Sequence, residues 1–273
     1  MHESNFTSNN YSAYPKGNRI MKIVVNPDFK ELESLLIELP TIFERQGEIV
    51  YKSRNELRFI DVPGFTINVK RYRVPIFMNR IAYTFFRKSK ACRAYEYAFK
   101  LKEKGYGTPD PIAYLEYKSN GLLSHSYFVS KHIRDFRMMR EFADGSDITG
   151  REDIIEALGV LVARLHEDGI LHLDLSVGNI LFNKEGQEVH FWLVDLNRMR
   201  FCRIGQEKGC KNFERLRGNE AFFKVLATAY ARERGFDPAE CFESILKHQK
   251  NSVQKFRSKS ERKKRLQKWK LKR

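Results

Sequence analysis

The chain has no apolar stretch long enough to cross a bilayer. A spanning helix needs about 20 apolar residues in succession, and the longest apolar run, residues 157–165, already contains Arg164. The N-terminus shows no basic segment followed by an apolar one, the pattern of a secretory leader, so export by that route is not expected. Cysteine is scarce: Cys92, Cys202, Cys210 and Cys241 are scattered, and no two have C-x-x-C spacing. That argues against a zinc site or a dithiol redox centre and fits a reducing cytoplasm. The phosphate-cradling glycine motifs are missing too. There is no G-x-x-x-x-G-K-[ST], which excludes a P-loop NTPase by motif, and no G-x-G-x-x-G between residues 45 and 66. Neither H-E-x-x-H nor G-x-S-x-G occurs, so zinc-protease and serine-hydrolase signatures are absent. Acidic residues are in deficit, with 34 Asp and Glu against 50 Lys and Arg, a net charge of +16.

Apolar material is plentiful. Of the 273 residues 42% are hydrophobic and 13% aromatic, enough for a sizeable core. The length suits one large domain or two lobes sharing a cleft. The positive charge is concentrated at the end. Residues 247–273 carry 13 Lys or Arg and one acid, Glu261, so the first 246 residues are close to balance. A folded nucleic-acid binder spreads its charge over a face, so nucleic acid is not the expected partner. With Phe256, Leu266, Trp269 and Leu271, the tail has the make-up of a segment that lies on an anionic membrane surface. A solvated basic helix is the plain alternative.

Residues 1–20 are polar and without periodicity, and read as a disordered leader; Met21 is a second possible start. A helix is expected over 29–39, ended by Pro40. Residues 48–72 alternate as strands around a Pro63-Gly64 turn. Residues 90–104 read as a helix stopped by Gly105, and 112–117 and 126–133 as two more strands. From Arg151 the pattern turns helical, with Ile154, Ile155, Leu158, Leu161, Val162 and Leu165 in one stripe. Short β-like stretches follow at 179–182 and 190–194, then helices at 219–234 and 238–247. The organisation expected is a leader (1–20), a β-rich N-lobe with one main helix (21–132), an α-rich C-lobe (133–246) and a basic tail (247–273). The backbone of 130–133 would join the lobes.

The chemistry is concentrated in residues 171–181. His172-x-Asp174-x-x-x-x-Asn179 has the spacing of a protein-kinase catalytic loop. Phosphoryl transfer asks a protein to align a hydroxyl with the γ-phosphate and to neutralise charge with Mg²⁺. Asp174 would orient the acceptor hydroxyl and take its proton, and Asn179 would turn back to ligate the metal. The alternative for both is a capping Asp and a loop Asn in an ordinary helix–turn–strand. Asp195, 21 residues after Asp174, ends the apolar stretch Phe191-Trp192-Leu193-Val194. It stands where a kinase places its second metal ligand, although Leu196-Asn197 replaces the usual Phe-Gly. One carboxylate and one amide oxygen suit Mg²⁺, which also takes phosphate oxygens. Upstream, Ile67-Asn68-Val69-Lys70 resembles the strand whose Lys reaches the α- and β-phosphates, and Glu96 in the following helix would pair with Lys70. The glycine-poor turn Lys52-Ser53-Arg54-Asn55 would cover phosphates with its N–H groups and Arg54. His172 reads as a brace for its loop, and Arg198 and Arg200 as candidates to touch acceptor or phosphate.

These residues resemble the lipopolysaccharide core kinase family, the Kdo and heptose kinases. The resemblance spans about residues 45–216 and is most specific over 160–201. It rests on the 172–181 run, on Val194-Asp195-Leu196-Asn197-Arg198, and on the Gly105-to-Ala113 turn. No A-P-E segment follows Asp195, which favours a small-molecule acceptor over a protein. The resemblance implies an α+β, bilobal protein-kinase-like fold with ATP and Mg²⁺ as cofactors. It further implies phosphorylation of a sugar hydroxyl on a lipid-linked inner core, at the cytoplasmic face of the inner membrane, where the basic tail would meet anionic lipid. Asn197 stands where the family often has an acid. A different acceptor on the same fold, or a pseudokinase that only binds, are the other readings.

Overall fold

Alternating apolar residues in the first half of the chain build one antiparallel sheet. In the computed structural model, which describes residues 19–143 and 146–271, its strands are β1 (Arg19–Val25), β2 (Glu48–Lys52), β3 (Asn55–Val62), β4 (Phe65–Tyr72), β5 (Pro111–Ser119) and β6 (Leu122–Lys131). They lie in the order β1-β5-β6-β4-β3-β2. The chain divides into two compact units at Arg134, and this sheet frames the first.

Two short helices, α1 (Glu33–Ile37) and α2 (Leu39–Arg45), close one face of the sheet. Their Leu36, Leu39 and Phe43 are fully buried with Ile67, Val69, Ile112 and Leu115. Each such side chain contributes about 1.5–3 kcal/mol by leaving water. Pro40 does not end helical structure, as the sequence suggested. It sits in the first turn of α2, where its missing N–H has no helical partner to lose. α3 (Phe77–Phe85) and α4 (Lys90–Glu103) follow β4. Ser89 caps α4 by accepting the Cys92 N–H at 3.1 Å, and the ring of Tyr95 in α4 packs at a tilt against that of Tyr114 in β5, with centroids 5.3 Å apart. The expected leader at 1–20 overlaps β1, whose residues from Arg19 pair with β5; residues 1–18 lie outside the described residues.

The second unit is built on a helix pair. α5 (Glu152–Glu167) lies against α7 (Glu220–Arg234). They touch closely at Gly159, where a Cβ would come within 2.8 Å of Ala229 Cβ and the Leu226 carbonyl. β8 (Ile170–His172) pairs with β11 (Met199–Phe201). β9 (Ile180–Glu185) pairs with β10 (Glu188–Leu193) and with β7 (Arg137–Met138). α6 (Gln206–Asn212) precedes α7.

α8 (Pro238–Leu271) is one helix of 34 residues, where the sequence suggested a helix over 238–247 and a separate tail. Neither Gly nor Pro follows Pro238, and Lys, Arg, Gln and Glu are good helix formers. Its first turns are docked by buried Cys241 and Ile245 and by Gln249, whose amide donates to the Phe213 carbonyl at 2.8 Å. No described helix is long and apolar enough to cross a membrane.

Candidate active site

Gly169 makes the turn from α5 into β8 at φ +71°, and a Cβ there would press within 3.2 Å of the Cys202 carbonyl. β8 then delivers His172, whose ring is buried. Its Nε2 lies 3.1 Å from the Val194 carbonyl, and its Nδ1 accepts the Asp174 N–H at 3.1 Å. A carbonyl only accepts and an amide N–H only donates, so the ring is neutral with its proton on Nε2. Burial holds its pKa below the ordinary histidine value. His172 therefore braces the loop and ties it to the segment that carries Asp195.

The loop between β8 and β9 is closed from inside. Asn179 donates its Nδ2 to the Asp174 carbonyl at 2.9 Å, and its own carbonyl accepts the Val194 N–H at 3.0 Å. The side-chain nitrogen is committed, so the atom Asn179 can offer a cation is Oδ1. The Asp174 carboxylate is flanked by two guanidiniums: Arg198 Nη1 stands 3.3 Å from Oδ2, and Arg215 pairs with Oδ1. Asp195 follows β10 in the left-handed region, at φ 60° and ψ 46°, a conformation that costs a non-glycine residue about 1–3 kcal/mol. Asn197 is buried and donates its amide to Asp195 Oδ1. An ionised acid at 197 could not make that bond. The departure noted in the sequence thus orients the carboxylate it follows.

Asp174, Asn179 and Asp195 are in this way joined through His172 and Val194 in one hydrogen-bonded assembly within the second unit. Several members were not visible in the sequence. Arg215 and Asn212 belong to no motif. Arg140 lies against the loop, its Nη2 2.8 Å from where a Cβ on Gly178 would be. Asn212 donates to the His172 carbonyl at 2.9 Å, and its Oδ1 meets His166 Nε2 at 3.0 Å. His166 Nδ1 in turn meets the Tyr230 hydroxyl at 2.9 Å. This buried chain ties the loop to α5 and α7.

The chain has a pH consequence. Burial lowers the pKa of His166 from 6.5 to about 4, and that of His172 in the same direction. Both are neutral in the fold, whereas in the unfolded chain they take protons below about pH 6.5. Stability therefore falls as pH drops from 6.5 towards 4, by up to about 3 kcal/mol for His166 alone. Thermal unfolding of the full chain at pH 7 and pH 4.5 should show that loss. In His166→Gln the pH slope should be shallower, and an unchanged slope would refute the assignment.

In the first unit, Lys70 lies on β4 between Leu57 of β3 and Phe128 of β6, with its Nζ 5.6 Å from the Tyr72 ring. Glu96 lies on α4 and accepts Lys88 at 2.6 and 2.8 Å, a partner the sequence did not suggest. The Cys92 Sγ is 3.5 Å from the same carboxylate, and burial pushes that thiol up to about 12. Ser53 and Arg54 form the connection from β2 to β3, with Arg54 exposed. A hollow of about 460 Å³ is lined by Gly47, Glu48, Phe59, Thr66, His132 and Arg134, among others. The His132 and Phe59 rings lie 4.3 Å apart on its wall. That volume is in the range of small-ligand sites.

Comparison with known proteins shows the family and the fold. The sequence profile of the lipopolysaccharide kinase (Kdo/WaaP) family matches residues 42–230. A 3-deoxy-D-manno-octulosonic acid kinase of Stenotrophomonas maltophilia is 37% identical over 98 residues, 36% of this chain and 36% of that protein. Another protein of that name, from Vibrio vulnificus, is 24% identical over 204 residues, 72% of this chain and 84% of its own length. The match thus spans about a third of the first relative and most of the second. Among solved structures, WaaP in complex with acyl carrier protein superposes with a TM-score of 0.61 at 17% identity, covering 86% of this chain and 99% of that one. That likeness shows the kinase-like fold.

Proposed function

Since the chain belongs to the lipopolysaccharide kinase (Kdo/WaaP) family, we propose that it transfers the γ-phosphate of ATP to a sugar hydroxyl of a lipid-linked lipopolysaccharide inner core, Kdo or heptose. The observation that carries the reading is the closed loop in which His172 and Asn179 hold Asp174 beside the segment of Asp195. In this reading Asp174 accepts the proton of the acceptor hydroxyl as the oxygen attacks, a role worth about 10²–10⁴-fold in rate. Arg198 and Arg215 fix the carboxylate and bring positive charge to where phosphate or an acidic sugar would lie.

Mg²⁺, when bound, would neutralise the nucleotide's phosphate charge. Asp195 and the Asn179 Oδ1 are the groups that fit it. Among the described residues no three His, Cys, Asp or Glu side chains form a cage, and Mg²⁺ ordinarily takes one or two carboxylates plus phosphate and water. Lys70 is assigned to the α- and β-phosphates, with Arg54 near them, and Glu96, whose carboxylate holds Lys88, would have to brace Lys70 as well. The hollow around His132 is the adenine candidate. The enzyme would work at the cytoplasmic face of the inner membrane, with the basic end of α8 drawn to anionic lipid.

The test is incubation of the full chain with labelled ATP and a panel of acceptors: Kdo–lipid A, a heptose-bearing core and a cationic aminoglycoside. Label on a core sugar is the expected result. Label on the aminoglycoside alone would keep the fold and overturn the acceptor class. Nucleotide binding without any transfer would favour the pseudokinase.

A further inference from the structure

α3 is an amphipathic helix turned inside out. A surface helix of a globular protein buries its apolar stripe and shows water its polar face. Here Arg80 and Thr84 face the protein, while Asn79 is exposed with the apolar residues. Arg80 donates from Nε to the Leu123 carbonyl at 2.8 Å and from Nη2 to the Ser119 carbonyl at 2.8 Å. Thr84, one turn on, accepts the Leu123 N–H at 2.8 Å through its hydroxyl. These bonds fasten the helix to the β5–β6 turn. No residue of α3 is buried. Phe77, Met78 and Phe85, which share a face at helical spacing, are 64%, 71% and 65% exposed. Ile76 and Phe86 at the two ends are 71% and 81% exposed.

Along the sequence the helix is flanked by cations, of which Lys88 pairs with Glu96 and Arg71 with Glu56. Between residues 62 and 95 there are eight Lys or Arg and no acid. Arg73 and Arg87 are exposed just before and just after the helix. A large apolar face of this kind marks an interaction site. Aromatic and aliphatic side chains flanked by cations match the boundary between anionic headgroups and acyl chains.

We propose that α3 is a membrane-docking element that inserts Phe77, Met78 and Phe85 into the interface of an anionic bilayer. The inference deepens the reading above and rests on it for the purpose of docking, which is to keep the enzyme where a lipid-linked sugar is presented. The binding itself requires no catalysis. It is distinct from attraction by the basic end of α8, which is electrostatic and screened by salt.

The experiment is co-sedimentation of the full chain with vesicles of phosphatidylethanolamine and phosphatidylglycerol, at low salt and at about 0.3 M salt. Wild type is compared with the Phe77→Ser/Phe85→Ser double variant. Both side chains are exposed, so the fold should be kept, and the melting curve checks this. The expected result is binding about tenfold or more weaker in the variant at the higher salt, with unchanged phosphate transfer to a water-soluble Kdo saccharide. Equal vesicle binding by both proteins, or none by wild type, would overturn the proposal. Intact vesicle binding with lost binding to an acidic acyl carrier protein would also overturn it, making the face a protein dock. Weaker vesicle binding in a protein that phosphorylates neither a Kdo nor a heptose saccharide would leave docking standing and remove the core-sugar kinase reading alone.

Discussion

Replacing Asp174 with Asn should lower kcat by about 10²–10⁴-fold and leave nucleotide binding within a few-fold of wild type. The side chain keeps its size, and the loop keeps its shape, because the bonds that close it run through the backbone of 174, to His172 Nδ1 and from Asn179 Nδ2. What is lost is the carboxylate oxygen that accepts a proton. Arg198 and Arg215 lose their anionic partner as well, so a modest change in KM for an acidic acceptor is expected. Steady-state kinetics and calorimetric nucleotide binding separate the two effects. A variant with near-normal kcat would show that Asp174 caps its loop and nothing more.

The second large effect is on stability. Glu56 is a buried carboxylate between two guanidiniums, with Arg58 Nη2 at 2.6 Å and Arg71 Nη2 at 2.8 Å. Both arginines also lie over the Phe43 ring, at 4.7 and 4.6 Å from its centroid. Glu56→Ala strands these cations in the fold and should cost about 3–5 kcal/mol, read as a fall in the denaturation midpoint of the first unit. Burial alone would raise the Glu56 pKa, but hydrogen bonds from Arg58 and Arg71 outweigh it and hold the carboxyl below its ordinary 4.5. Its contribution is thus present above about pH 4.5 and lost as pH falls below it. A loss under 1 kcal/mol would mean that the arginines find water or Glu44 instead.

Glu56 also shows where the sequence is hard to read. In β3 the alternation of Leu57 and Phe59 looks like the apolar face, yet the buried positions are Glu56, Arg58, Ile60 and Val62. A charged pair that neutralises itself is indistinguishable in sequence from a solvated face. α3 was missed for a related reason. Its N-cap is Ile76, which makes no capping bond, so the usual start signal is absent. Its apolar residues also serve a surface instead of the core. Conversely, the strands at 48–72, the helix capped by Ser89 and the stripe of α5 follow period and punctuation, and were legible. The loop from His172 to Asn179 and the carboxylate at 195 were legible because they depend on local spacing. Arg215, Asn212 and Arg140 reach the loop through tertiary packing, which no spacing encodes.

The central claim is phosphoryl transfer built on Asp174, Asn179 and Asp195. It is tested most directly by phosphate transfer from ATP to Kdo–lipid A, measured against Mg²⁺ concentration in wild type and in Asp195→Asn. The account predicts transfer that requires Mg²⁺ and saturates in wild type, and that is lost or demands far more Mg²⁺ in the variant. Equal transfer by both proteins, or transfer indifferent to the metal, would contradict it.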